Sequence, residues 1–268
     1  MELNGRVAVV YGGGGAVGGA VARALARDGA RVYLTGRSST AAQAVADEIV
    51  ASGGQASAAA VDLADWDAMD AFLHGVVDEA GDFHIVVDAT GTDHVQGVPL
   101  REVGLADYLA PITAITTRAY VAGATAAIHM SAVGYGVIVL LSTTAARVAL
   151  PSDGFGPACA AVEAFARQLA GEVGPRGVRV VCVRADAVPG SVAAGSYAGS
   201  MWTRAAEERG STLDEVLAAG GPGVPGALLS DELTLAALGD TVAFLASDRA
   251  SAMTATVTNL SRGALPDL

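Results

Sequence analysis

Three groups of residues in this chain have types and spacing that could do chemistry. The first is the run Tyr11-Gly12-Gly13-Gly14-Gly15-Ala16-Val17-Gly18-Gly19. Glycines in such a turn let backbone N–H groups approach a pyrophosphate, and a helix beginning there adds its partial positive charge. The second is Arg37, followed by Ser38 and Ser39. NAD-binding sites usually place an acid here for the ribose 2′-hydroxyl, whereas a guanidinium among hydroxyls suits a 2′-phosphate. The two groups together read as a site for NADP(H). The third group is Ser142 and Thr143, then Asp153, Phe155 and Cys159. A strand-end hydroxyl can polarise a carbonyl or oxyanion, or only bond its own backbone. Cys159, just after Pro157, is either a thiol activated by a helix N-terminus or a small buried hydrophobe. Asp153, in the loop before Phe155, is an acid or base if desolvated, and otherwise reads as an exposed loop acid. His94, beside Asp93, is either a proton donor near neutral pH or a lone surface histidine.

These groups need a frame that brings them together. Short β-branched runs at Val7–Tyr11, Arg31–Thr35, Ala56–Asp62, His84–Asp88, Val137–Leu141, Arg179–Arg184 and Thr256–Leu260 read as strands. Helical segments fall between them, near Val17–Arg27, Thr40–Ser52, Trp66–Glu79, Asp107–Met130, Ala158–Val173 and Asp240–Ala246. This alternation predicts an α/β fold: a Rossmann-type, doubly wound, mainly parallel sheet of seven strands with helices on both faces. No linker or repeat interrupts it, so residues 1–268 read as one domain. The long connection 186–229, glycine-rich near its end, reads as a lid or substrate loop, with short helices near Ser200–Gly210 and Thr212–Ala219. Helices 107–130 and 158–173 are poor in charge on nearly every face, which predicts a homodimer or homotetramer packed through them.

Composition excludes several classes. Apolar residues make up 52% of the 268, so a sizeable core is available. The net charge of −12 disfavours nucleic acid as a partner. The uncharged stretch between Arg118 and Arg147 is broken by His129, Ser131, Gly134 and Gly136, and reads as a buried helix, turn and strand rather than a membrane span. No basic and apolar leader precedes the first strand. Two cysteines, Cys159 and Cys182, have no metal-like spacing and read as reduced cytoplasmic thiols, so no metal is expected. All sixteen basic residues are arginine, a composition that suggests a high-GC bacterium.

The motifs, in this order, resemble the short-chain dehydrogenase/reductase family nearly end to end. The family's TGxxxGxG turn appears as Tyr11 to Gly18, with Ala16 in place of the middle glycine. Asp62-Leu63 matches the acid that meets the adenine, and Asp88-Ala89-Thr90-Gly91 matches the family's NNAG. Thr143 falls on the position of the catalytic Ser. The resemblance implies that Gly12, Gly14, Gly15, Ala16, Val17, Gly18, Arg37, Ser38, Asp62, Leu63, Ala89, Thr90, Gly91 and Val188 line the cofactor. It also shows what is missing. The YxxxK pair becomes Phe155 and Cys159, no Asn occurs between Asn4 and Asn259, and Ala185-Asp186 replaces the family's PG.

The chain therefore reads as an atypical NADP(H)-dependent reductase in specialised biosynthesis, acting on a small apolar carbonyl or enone. Its proton would come from water, from the substrate or from another residue. The other readings are a non-redox enzyme of the same fold (cyclase, dehydratase or isomerase) and a non-catalytic binding subunit.

Overall fold

The computed structural model describes residues 2–149, 152–208, 210–218 and 224–267. Seven parallel strands form one sheet in the order β3-β2-β1-β4-β5-β6-β7. They are β1 (Val7–Tyr11), β2 (Arg31–Gly36), β3 (Gln55–Ala60), β4 (Ile85–Asp88), β5 (Gly136–Thr143), β6 (Val178–Ala185) and β7 (Thr256–Leu260). Helices α1 (Ala16–Arg27), α2 (Ser39–Ala51), α3 (Trp66–Ala80), α4 (Leu105–Val133), α5 (Phe155–Val173), α6 (Gly190–Ala193), α7 (Ala198–Glu207), α8 (Leu213–Ala218) and α9 (Leu235–Ala246) complete the chain.

The central strands are Val- and Ile-rich because helices cover both faces of the sheet. All five residues of β1 and all four of β4 are buried. One core lies under α1, α2 and α9, where Leu25, Leu34, Ile49 and Leu245 meet; the other lies under α3, α4 and α5, around Tyr11, Leu73, Met130 and Leu140. Strand order reverses between β1 and β4, and register sets Tyr11 opposite both Thr35 and Asp88. The loops that leave the C-terminal ends of these strands thus converge on one crevice, where ligands bind in open α/β sheets.

The predicted fold is the observed one, and the element ends shift for local reasons. The fifth helix starts at Phe155 rather than Ala158, because Pro157 in a first turn has no N–H to waste. The last helix starts at Leu235 rather than Asp240, since the Thr234 hydroxyl caps Ala237 N at 3.0 Å. Helix α4 outruns its predicted span at both ends and stops at Gly134, whose φ of 81° is the left-handed conformation that favours glycine. Asp62 lies beyond the end of β3. The connection 186–229 carries α6, α7 and α8; residues 219–223, part of its glycine-rich stretch, lie outside the described residues. No helix among the described residues is long and apolar enough to cross a membrane.

Candidate active site

The glycine turn is built for close backbone approach. Gly12 has φ of 73°, and a Cβ on it would meet Ala89 O at 2.8 Å. A Cβ on Gly14 would meet Ala42 N at 2.6 Å, and one on Gly18 would collide with Gly12 O. Gly15 is the N-cap of α1, with no side-chain cap and no acid in the first turn. The first N–H groups of α1 therefore face the crevice without a protein partner on a side chain, which suits a pyrophosphate. Ala16 opens the helix, so its methyl adds to the first turn and does not fill the turn itself.

Arg37 is exposed at the end of β2. Ser38 is the N-cap of α2, its Oγ accepting from Thr40 N at 3.4 Å. Arg37 thus stands next to the N-terminus of α2, where the helix dipole is positive. Asp62 is exposed and folds back on Ala64 N at 2.9 Å, with Leu63 buried behind it. In the Ala89-Thr90-Gly91 loop, Asp88 Oδ1 accepts from Thr90 N and from Thr90 Oγ1, at 3.0 and 2.6 Å. Burial holds the Asp88 carboxyl above the usual carboxylate range. Val188 is buried in the turn after β6.

The residues that the family resemblance sets at the catalytic positions form a tight group. Thr143 Oγ lies 3.4 Å from Cys159 Sγ and accepts from Ala145 N at 3.2 Å, so the hydroxyl bonds its own backbone while still facing the thiol. Ser142 turns away: its Oγ donates to Glu163 Oε1 at 2.9 Å beneath α5. There Arg184 grips Glu163 in a two-pronged ion pair, at 2.8 and 2.7 Å, and also reaches Asp267 at 2.8 Å. Cys159 sits in the body of α5 rather than at an activated N-terminus, and burial pushes its thiol up. The packed-hydrophobe reading of Cys159 is the one its surroundings match.

Two expectations are overturned here. Asp153 is not an exposed loop acid, for it is only 4% exposed. Its Oδ2 accepts from Val95 N at 2.7 Å and its Oδ1 from Phe155 N at 3.0 Å, so one carboxylate ties the loop after β4 to the start of α5. A backbone bond from Asp153 N to Val95 O and a bridge between Gln96 and Ser152 complete the seam. His94 is not a surface histidine either. Its ring lies flat on Phe155, centroids 3.6 Å apart and planes 3° from parallel. Nδ1 faces Thr92 O at 3.0 Å and Nε2 faces Gln96 Nε2 at 2.9 Å, and burial lowers the imidazole's pKa.

The 186–229 connection closes over this group. The Tyr197 ring rests on Gly91, where a Cβ would collide with it. Arg118 of α4 donates to Thr92 Oγ on the same loop. Arg204 pairs with Asp93 at 3.0 Å. Asp186 accepts from Thr144 Oγ at 3.0 Å and from Val224 N at 3.2 Å, anchoring the far end of the connection, and Pro189-Gly190 open α6 just after it. A groove at the opposite ends of the strands, lined by Arg6, Arg27, Arg31, Glu48 and Asp240, is no rival. Its arginines already pair with Asp248, Asp240 and Glu79.

A glycine turn meeting a bare helix start, at the switch point of a parallel sheet, defines a dinucleotide-binding α/β protein. The chain belongs to the short-chain dehydrogenase/reductase family: residues 14–264 match the family model described as enoyl-(acyl carrier protein) reductase. It is 33% identical to hydroxynaphthalene reductase of Aspergillus fumigatus over 84% of this chain and 83% of that protein. It is 29% identical to D-threitol dehydrogenase of Mycolicibacterium smegmatis over 94% and 89%. An NAD+-bound xylitol dehydrogenase shares the fold, with a TM-score of 0.82 over 97% and 98% at 21% identity. These relatives are oxidoreductases, and the family works with nicotinamide cofactors.

Proposed function

We propose that this chain is an NADP(H)-dependent reductase whose substrate, not a side chain at position 155, makes protonation easy. One contrast carries the reading. The tight glycine turn and the exposed Arg37 before the N-terminus of α2 support cofactor binding, whereas the position matched to the family's acid holds a phenyl ring covered by His94. When bound, the nicotinamide supplies a hydride. The residues named above for the pyrophosphate, ribose and adenine would hold the cofactor, with Val188 beside the nicotinamide.

Hydride addition to a plain ketone leaves an alkoxide that needs a tuned acid. None is offered here. Burial keeps His94 neutral near pH 7 and holds the Tyr197 phenol above its usual range. A conjugated enone, or the keto form of a phenol, leaves a delocalised anion that water can protonate. The Tyr197 ring, beside the buried His94–Phe155 stack, would give such a flat apolar substrate an aromatic wall, and the Thr143 hydroxyl would polarise its oxygen. The name of the Aspergillus relative, a hydroxynaphthalene reductase, agrees with a flat aromatic substrate.

The charge-poor helices support a homodimer or homotetramer: α4 leaves Leu105, Leu109, Tyr120, Ile128 and Val133 exposed. The free, buried thiols Cys159 and Cys182 fit the cytoplasm. The inert Cys159 and covered Phe155 also favour a second reading, in which the protein is a non-redox template enzyme or a binding subunit.

The test is a titration with NADPH and with NADH, followed by nicotinamide fluorescence, then turnover on enones, quinones and phenolic ketones. Failure to bind either cofactor would sink the reductase. Tight NADPH binding with no turnover across the panel would move the assignment to the second reading.

A further inference from the structure

Far from the crevice, three side chains that the reductase reading leaves idle meet on the outer face of the α3–α4 layer. Asp70 and His74 stand one turn apart on α3, and so share a face. His129 reaches them from α4, 59 residues after Asp70. His129 Nε2 lies 3.2 Å from Asp70 Oδ1, and His74 Nδ1 lies 3.4 Å from Asp70 Oδ2. The imidazole rings are 4.6 Å apart at 75°, and Phe83 backs the His129 ring at 5.6 Å. One ligand atom from each residue falls within 4.8 Å of the other two.

We propose that Asp70, His74 and His129 form a binding site for one Zn2+ ion, clamping α3 to α4. Ligands about 2.0–2.1 Å from a tetrahedral ion stand roughly 3.3 Å from one another; each imidazole already lies at about that distance from one of the two Asp70 oxygens, and a side-chain adjustment brings the three ligand atoms, now within 4.8 Å, onto one ion. Two imidazoles and a carboxylate form a borderline donor set that selects Zn2+ over the all-oxygen preference of Mg2+ and Ca2+. Water takes the fourth position. His74 Nδ1 is also 2.9 Å from Asp70 O, so a ligating His74 gives up the proton on the nitrogen that it presents.

The clamp is structural. Ile112, whose side chain sits against Gly154 beside the active-site seam, is 17 residues from His129, or roughly 25 Å along the helix at 1.5 Å per residue. The ion would not touch the crevice, and the proposal stands or falls apart from the reductase reading.

The test is equilibrium dialysis of the full chain against ZnCl2 at about pH 7.5, with Co2+ as a spectroscopic substitute. The expected result is one ion per chain, a raised melting temperature, and tetrahedral Co2+ bands without thiolate charge transfer. H74A and H129A should each weaken binding at least about tenfold, and C159S should leave it unchanged. His74 is 63% exposed, so H74A retains the fold and isolates the ligand. Absence of binding at micromolar free Zn2+, or binding unaltered in both histidine variants, would overturn the proposal.

Discussion

Removing the Asp153 carboxylate should loosen the whole catalytic face. In D153A the Val95 and Phe155 amides lose their acceptors in a buried place. An orphaned buried donor costs about 1–3 kcal/mol, so the pair costs about 2–6. The carboxylate also sits at the N-terminus of α5, which adds roughly 0.3–1 kcal/mol from the helix dipole. A central figure near 4 kcal/mol corresponds to a fall in melting temperature of about 8–16 °C, at about 2–4 °C per kcal/mol in a domain of this size. D153N keeps one acceptor oxygen and should lose about half as much. Thermal and urea unfolding read the loss directly. A D153A protein within about 1 kcal/mol of the parent would refute the claim that this carboxylate pins the His94 loop to α5.

Four further outcomes are expected. R37A should weaken NADPH binding about tenfold, the lower range for a screened charge-assisted contact, and leave NADH unchanged; fluorescence titration at two salt concentrations checks both. Burial depresses the pKa of His94 and of His84, so the unfolded chain takes up protons first as pH falls below about 6.5. Stability is full above that value and declines as pH drops towards 5; urea midpoints should show the slope, and H94Q should flatten it. R184M leaves Glu163 buried without its cation and should cost about 3–5 kcal/mol, while the E163Q/R184M double variant should recover part of that loss in unfolding measurements. Iodoacetamide should label Cys159 and Cys182 slowly in the folded protein, because burial raises both thiols; prompt labelling at pH 7.5 or so would contradict the buried, inert thiol.

The sheet was legible because its central strands are buried on both faces and therefore spell unbroken Val and Ile runs. The glycine turn was legible for a related reason: local backbone geometry demands glycine there, at φ 73° for Gly12 and against close neighbours for Gly14 and Gly18. Helix starts were misjudged at Phe155 and Leu235, where Pro157 and Thr234 act through a cap or a first turn that apolar spacing does not show. Asp153 and His94 were misjudged more deeply. Asp153 owes its burial to Val95, 58 residues away, and His94 to a ring at 155. The Asp70–His74–His129 group is hidden in the same way, since its members sit on two helices that only the fold brings together. The i,i+4 spacing of Asp70 and His74 was the one available signal.

The stacked pair of His94 and Phe155 bears on whether the family's tyrosine could be installed here. A tyrosine restored at 155 would carry its ring under the imidazole, with no cation beside it. Position 159 could not supply that cation by a single exchange, because Cys159 is packed at 3% exposure above the Glu163–Arg184 pair. Each single exchange would thus meet a site packed around the present residue. On the proposed reading, an ordinary ketoreductase would need 94, 155 and 159 to change together, with an asparagine supplied besides.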